Sequence, residues 1–222
     1  MPLSSHSERL MGTTITISLV DERADILLQK SFDLLRELEY RFNANSQESE
    51  LMEINHQAGI APVKVHPDLF ELISLGLEHS LAPSSHLNIS IGPLIQTWRI
   101  GFSDAKVAQP QEIEAVLPLI NPHDIELDSS TSTVFLKQKG MKIDLGCLAK
   151  GYSADKVAQF LRKEGVTSVL INLGGEYPDH WKKSGKRKSA LANRDSRPRQ
   201  SEGKSLNDHS CCQSICRDFR HL

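Results

Sequence analysis

The sequence predicts an α+β fold in which a mixed or antiparallel sheet carries flanking helices. Three observations lead there. Residues 13–20 (T-T-I-T-I-S-L-V) alternate Ile15, Ile17 and Leu19 against Thr and Ser, the period of a half-buried strand. Residues 25–42 place Leu28, Phe32, Leu35, Leu38 and Phe42 on one face at helical spacing. Strands and helices then interleave with hairpins and without a regular βαβ rhythm, which reads as α+β.

Taken in order, residues 1–10 are polar and predict a frayed end, followed by the 13–20 strand and the 25–42 helix. N-A-N-S breaks that helix, and E-L-M-E-I-N at 50–55 starts a short one. Pro67 opens another helix as a first-turn proline, with Leu69, Leu72, Ile73, Leu77 and Leu81 as its apolar stripe. A polar loop, A-P-S-S-H, leads to residues 87–91 and to a turn at Gly92-Pro93. Trp98 and Phe102 read as core or pocket wall. Residues 109–119 form a helix started by Pro110. Residues 125–127 and 133–136 flank the turn-rich D-S-S-T-S, giving a hairpin that feeds a short strand ending at Asp144 through Lys139-Gly140. A helix with Leu148, Tyr152, Ala154, Val157 and Leu161 at its spacing follows. Residues 166–173 are apolar on both faces and predict a buried strand.

The chain has 222 residues, 39% of them hydrophobic and 24% charged, enough for one sizeable domain or two small ones. The net charge of -2 is unevenly spread: residues 1–175 hold 15 Lys and Arg against 22 Asp and Glu, residues 176–222 hold 11 against 6. No apolar run approaches membrane-spanning length and no leader pattern opens the chain, so a cytoplasmic protein with no membrane segment is expected. Two motifs in the basic segment have sharp readings. Cys211, Cys212 and Cys216 with His209 match no common zinc spacing. The run K-K-S-G-K-R-K at 182–188 is what a solvated segment also shows, and no nucleic-acid partner is assigned.

The chemistry concentrates between residues 140 and 153: G-M-K-I-D-L-G-C-L-A-K-G-Y-S. A strand reaches an acid, a glycine turn follows, and a helix opens at once. That geometry turns free N–H groups and a positive helix end toward an anion. Asp144, Gly146, Lys150 and Gly151 are therefore candidates for a phosphate or nucleotide site. The same residues also fit a plain strand–helix connection with two turn glycines and a capping acid.

D-L-G-C-L-A-K-G-Y resembles the D-x-x-x-x-x-K-G-Y element of the FAD:protein FMN transferases, once called thiamine-biosynthesis lipoproteins. Three further stretches stand in that family's order: Met11-Gly12-Thr13 before a strand, I-G-P-L-I-Q-T-W-R-I-G-F at 91–102, and N-L-G-G at 172–175. The S-x-L-M-x-x-N pattern ending at Asn55 is similar too. The resemblance implies the family's T-fold-like architecture over 1–175. It also implies phosphoryl transfer, in which FAD is the substrate, a Thr or Ser of an acceptor flavoprotein takes FMN, AMP leaves, and Mg²⁺ assists. Alternatives are hydrolysis of FAD to FMN and AMP, and a non-catalytic remnant. By position, Asp144 is implied to hold the adenosine or ribose side of FAD and Lys150 to touch the dinucleotide. Met11, Asn45, His86, Leu87 and Asn88 match flavin-contacting positions, Asn88 where many relatives have Asp and Asn45 where others have Tyr. Cys147 is implied to offer its backbone carbonyl to Mg²⁺. The remaining metal ligands are implied to come from a D-A-x-x-T-type element that this sequence does not contain.

After Gly175 the apolar periodicity stops, as in a segment too polar to form a core. A shifted reading frame accounts for the change. With synonymous codons chosen freely, dropping one base at Glu176 turns residues 176–184 into N-I-Q-T-I-G-K-N-P, which restores G-G-N-I-x-x-x-G. The same shift gives W-Q-I-G-I-Q-D-P from 191–198 and V-V-T-S-G-I from 216–222, both similar to later family stretches. Residues 176–222 are accordingly expected to be an out-of-frame tail.

Overall fold

The computed structural model describes residues 2–99 and 103–174. Two three-stranded antiparallel sheets are flanked by helices, as an α+β fold requires. The first sheet has the order β1 (Ser4–Leu10), β2 (Thr13–Leu19), β6 (Val169–Asn172). The second has the order β3 (Val63–Lys64), β5 (Thr133–Leu136), β4 (Ile125–Asp128). The helices are α1 (Ala24–Phe42), α2 (Glu50–His56), α3 (Pro67–Leu81), α4 (Gly92–Trp98), α5 (Pro110–Val116) and α6 (Gly146–Lys163).

Two helices join the halves. The N-terminal part of α1 (Leu27, Leu28, Phe32, Leu35) packs with β2, β6 and the C-terminal part of α6 (Ala154, Val157, Leu161) in one core. The last turns of α1 (Leu38, Phe42) enter a second core with α2, α3, β4, β5 and the segment Met141, Ile143, Leu145. Fully burying each such Leu, Ile or Phe is worth about 1.5–3 kcal/mol before cavity terms. The cores therefore lock the sheet hairpin and the second sheet to a common pair of helices.

The sequence misplaced several elements. Residues 4–10 are not frayed but form β1, paired with β2 from Ser4↔Leu19 to Leu10↔Thr13. Its polarity suits a sheet edge: Ser5 and Ser7 share hydroxyl hydrogen bonds of 2.8 Å with Ser18 and Thr16, and Arg36 of α1 reaches Glu8 at 2.7 Å. Met11 and Gly12, with φ of 51° and 73°, supply the two left-handed residues a two-residue hairpin turn needs. Gly92-Pro93 starts a helix instead of a turn, because Pro in the first turn needs no N–H partner. The strand expected before Asp144 is an extended segment with one parallel bridge, Ile91↔Lys142. Pro118 turns the end of the 109–119 helix into a 3-10 turn, Leu117–Ile120. Strand β3 was not foreseen. In β6, Val169 and Ile171 are buried while Leu170 is half-buried, so this strand is covered mainly on one face. Leu81, assigned to the apolar stripe of α3, is 41% exposed. Trp98, read as core or pocket wall, is half-buried and belongs to neither core nor to the cleft lining described below, whereas Phe102 and residues 175–222 lie outside the described residues.

Candidate functional site: a cleft beside the start of α6

An open cleft lies where the loop after α1, the helix α4 and the extended segment before α6 meet. Ala44 and Asn45 form one side, Lys142, Ile143 and Asp144 the other. Gly92, Ile95, Gln96 and Arg99 close a third side, and Asn55 lies between.

Local sequence fixes each wall. Ser49 caps α2, accepting from the Met52 N–H at 3.1 Å, and donates through Oγ to the Asn43 carbonyl at 2.6 Å. The Asn45 N–H donates to Asn43 Oδ1 at 2.8 Å, so the loop carrying Asn45 is folded onto the start of α2. On the opposite wall, the Asp144 N–H donates to the Ile89 carbonyl at 2.9 Å. Asp144 Oδ1 accepts from the Gly146 N–H at 2.8 Å, so the acid caps the opening of α6 and faces the cleft as well. The start of α4 lies on the Lys142 backbone, since a Cβ at Gly92 would stand 2.7 Å from both the Lys142 carbonyl oxygen and its Cβ.

The cleft carries two cations and one acid. Lys142 Nζ donates to the neutral Gln96 Oε1 at 2.5 Å. Arg99, which ends α4 in the left-handed conformation, pairs with Asp104 at 2.5 Å. Cations beside the positive end of an 18-residue helix suit a phosphate-bearing ligand, and the carboxamides of Asn45 and Gln96 suit hydrogen-bonding edges of a heterocycle.

A separate polar network ties α3 to α6. The Tyr152 hydroxyl donates to Glu71 at 2.5 Å, and Lys156 lies 2.9 Å from both Glu71 and Asp68. Hydrogen bonds from Tyr152 and then Lys156 hold the Glu71 carboxyl below the usual range. Burial works upward on Asp68, but Lys156, His66 and Arg41 together outweigh it and Asp68 is lowered too. Burial, reinforced by Glu71, pushes the Tyr152 phenol up.

Of the residues singled out by sequence, Asn45 and Asp144 come together in the cleft; the others do not line it. Met11 sits half-buried at the β1–β2 turn with its N–H on Glu39 at 2.7 Å, touching both cores. His86 is exposed and Leu87 half-buried. Asn88 is engaged internally: its Oδ1 accepts from the Ser90 N–H (2.9 Å) and hydroxyl (2.7 Å), and its Nδ2 donates to the Ile120 carbonyl (2.7 Å). Lys150 is half-buried one turn into α6, and Cys147 is exposed in the first turn. Sequence reasoning quoted Gln96 and Arg99 in the motif at 91–102, Lys142 in the stretch 140–153 and Asn55 in the S-x-L-M-x-x-N pattern, but gave none of them a role of its own. Lys142 stands two residues before the candidate acid, and that proximity was the available signal.

Among the described residues no group of three His, Cys, Asp or Glu is placed to hold a metal ion. Hard Mg²⁺ needs several oxygen ligands, and Cys147 contributes at most one carbonyl. The described residues do not by themselves make a Mg²⁺ site. The Cys211–Cys212–Cys216 motif and the basic run lie outside them. No helix among the described residues is long and apolar enough to cross a membrane.

The chain is 42% identical over 171 residues to an FAD:protein FMN transferase of Klebsiella pneumoniae (strain 342), covering 77% of this chain and 54% of the relative. It is 33% identical over 199 residues to an FAD:protein FMN transferase of Treponema pallidum (strain Nichols), covering 86% and 55%. The chain thus spans about half the length of the curated relatives it matches. The fold matches the flavin transferase ApbE from Vibrio cholerae with a TM-score of 0.72 at 21% identity, over 78% of this chain and 58% of that one. It matches the Pseudomonas stutzeri flavinyl transferase ApbE, apo form, with a TM-score of 0.71 at 19% identity, over 78% and 59%. A model of the ApbE family matches residues 11–189, running past Gly175 where the motif resemblance was expected to stop. With more than half of its length matched and the fold in agreement, the chain belongs to the ApbE family.

Proposed function

We propose that this chain carries the FAD-binding part of an FAD:protein FMN transferase. The observation that carries the reading is the cleft itself. In a chain of this family, Asp144 caps α6 beside Lys142, Arg99 and Asn45, a charge pattern suited to a dinucleotide. In the reaction, the hydroxyl oxygen of an acceptor Thr or Ser attacks the FMN-side phosphorus of FAD. The bond from that phosphorus to the bridging oxygen breaks, AMP leaves with that oxygen, and the hydroxyl proton is released. Catalysis then rests on holding the pyrophosphate in line and neutralising its charge, to which Lys142 and Arg99 would contribute. Mg²⁺ would supply further neutralisation when bound, through ligands that the described residues do not provide. A cytoplasmic location remains part of this reading.

The test is to incubate the chain with FAD and Mg²⁺, with and without an acceptor bearing a surface Thr. Covalent flavin fluorescence on a denaturing gel supports transfer, and AMP release without an acceptor points to hydrolysis. Absence of both, alongside retained FAD binding, identifies a binding remnant.

We infer also that residues 176–222 are translated out of frame, on the strength of three family-like stretches that the shifted frame restores in order. The family match runs in the present frame to residue 189 and weighs against a shift as early as residue 176. The nucleotide sequence across the codons for Gly174 to Tyr177 decides it. A stop codon soon after the junction in the shifted frame refutes the idea.

A further inference from the structure

We propose that Asn55 is the positioning residue of the cleft: its buried carboxamide pairs with both main-chain polar groups of Ile143 and thereby fixes the pose of Asp144 toward the nucleotide. The inference rests on the FAD reading above and deepens it.

Asn55 is 7% exposed. Its Oδ1 accepts from the Ile143 N–H at 2.7 Å, and its Nδ2 donates to the Ile143 carbonyl at 3.1 Å. This is the double donor–acceptor exchange of an antiparallel strand pair, made by one side chain. The segment needs such a partner. Met141, Ile143 and Leu145 are fully buried, yet the segment has strand-like contacts on one side only, to Ile89 and Ile91. On the other side the main-chain groups of Ile143 would be buried and unsatisfied without Asn55, a state folded proteins avoid.

A satisfied core Asn would need no more explanation, but two placements give this one a further role. Asn55 itself lines the cleft, and the residue it clamps directly precedes Asp144. Moreover, α2 grips the two opposing walls from its two ends. Ser49 at its start holds the loop that carries Asn45, and Asn55 near its end holds the segment that carries Asp144. Seven residues of helix thus set the spacing between Asn45 and Asp144. Only a carboxamide of this length offers a donor and an acceptor together. Aspartate at neutral pH keeps the acceptor and puts a second one against the Ile143 carbonyl, and leucine keeps the volume and loses both.

The experiment compares FAD and FMN dissociation constants, by flavin fluorescence, for the full 222-residue chain and for Asn55→Asp, Asn55→Leu, Asp144→Ala and the Asn55→Asp/Asp144→Ala pair. Each variant's melting temperature is recorded. Asn55→Asp is expected to weaken FAD about tenfold and FMN less than about threefold, erasing the preference for the dinucleotide. In the double variant the second change should add no more than about twofold, because both act through one group. A purely structural Asn55 would lower the melting temperature and leave the FAD:FMN ratio in place, which overturns the proposal. Should Asp144→Ala leave the ratio unchanged, the FAD reading of the cleft fails first, and the role assigned to Asn55 falls with it. If the Asn55 variants do not fold, the unmodified chain decides. Added FAD is expected to slow amide exchange at Ile143 and Asp144 at least about tenfold, and unchanged exchange there overturns the proposal.

Discussion

Gly92 shows how tightly the cleft is built at the level of single residues. Its missing side chain lets α4 rest on the main chain of Lys142, where a Cβ would approach the carbonyl oxygen to 2.7 Å. The obstacle is backbone, so it cannot swing away. Gly92→Ala should therefore cost about 1–3 kcal/mol in urea unfolding and weaken FAD binding as α4 is lifted off Lys142. An alanine variant of unchanged stability would mean that the close approach is not real. Asp144 was legible through its place in the D-x-x-x-x-x-K-G-Y resemblance, since the spacing alone fits a capping acid as well. Lys142 and Arg99 were not, because what makes them cleft residues is the crossing of α4 over a segment some forty residues away. Met11 drew attention through its motif neighbours, but nothing in its propensity signals a φ of 51°.

Among the elements, the contact between α3 and α6 contributes to the pH dependence. Asp68 and Glu71 are both lowered in the fold, so they contribute stability in full above their unfolded values, about pH 4. That contribution is lost as the pH falls through their lower folded values. Glu71→Gln should cost less than about 1 kcal/mol at neutral pH, because the Glu71 side chain is 61% exposed and water screens the pair. The variant should also flatten the fall of the urea midpoint between about pH 5 and pH 2. An unaltered slope would show that the ion cluster does not bear on stability. The long helices α1, α3 and α6 were readable from their apolar periods. Strand β1 was not: Ser, His, Glu and Arg at a sheet edge give no alternation of apolar residues. The helix α4 was hidden by a glycine–proline pair that reads equally as a turn or as a first helical turn. Asn55 takes the place of a neighbouring strand beside Ile143, and a side-chain substitute leaves no period to detect.

At the scale of the whole molecule, α1 and α6 run through both cores, and the cleft lies between the loop that follows α1 and the segment that precedes α6. The chain belongs to the ApbE family, FAD is its ligand on the reading proposed above, and among the described residues no group of three His, Cys, Asp or Glu is placed to hold a metal ion. Deleting one nucleotide at the Glu176 codon should, on the frame reading, yield a product with stronger flavin transfer than the present chain. Equal or lower transfer by that product would count against it. The claim beneath all of this is that the described part of the chain recognises the dinucleotide through the opening of α6. The most direct measurement is a fluorescence titration of the 222-residue chain and of Asp144→Ala with FAD and with FMN. FAD should bind more tightly than FMN, and Asp144→Ala should reduce that advantage about tenfold while sparing FMN, since a charge-assisted contact to the part of FAD beyond FMN is lost. Equal affinities for FAD and FMN in the unmodified chain, or an advantage untouched by Asp144→Ala, would contradict the account.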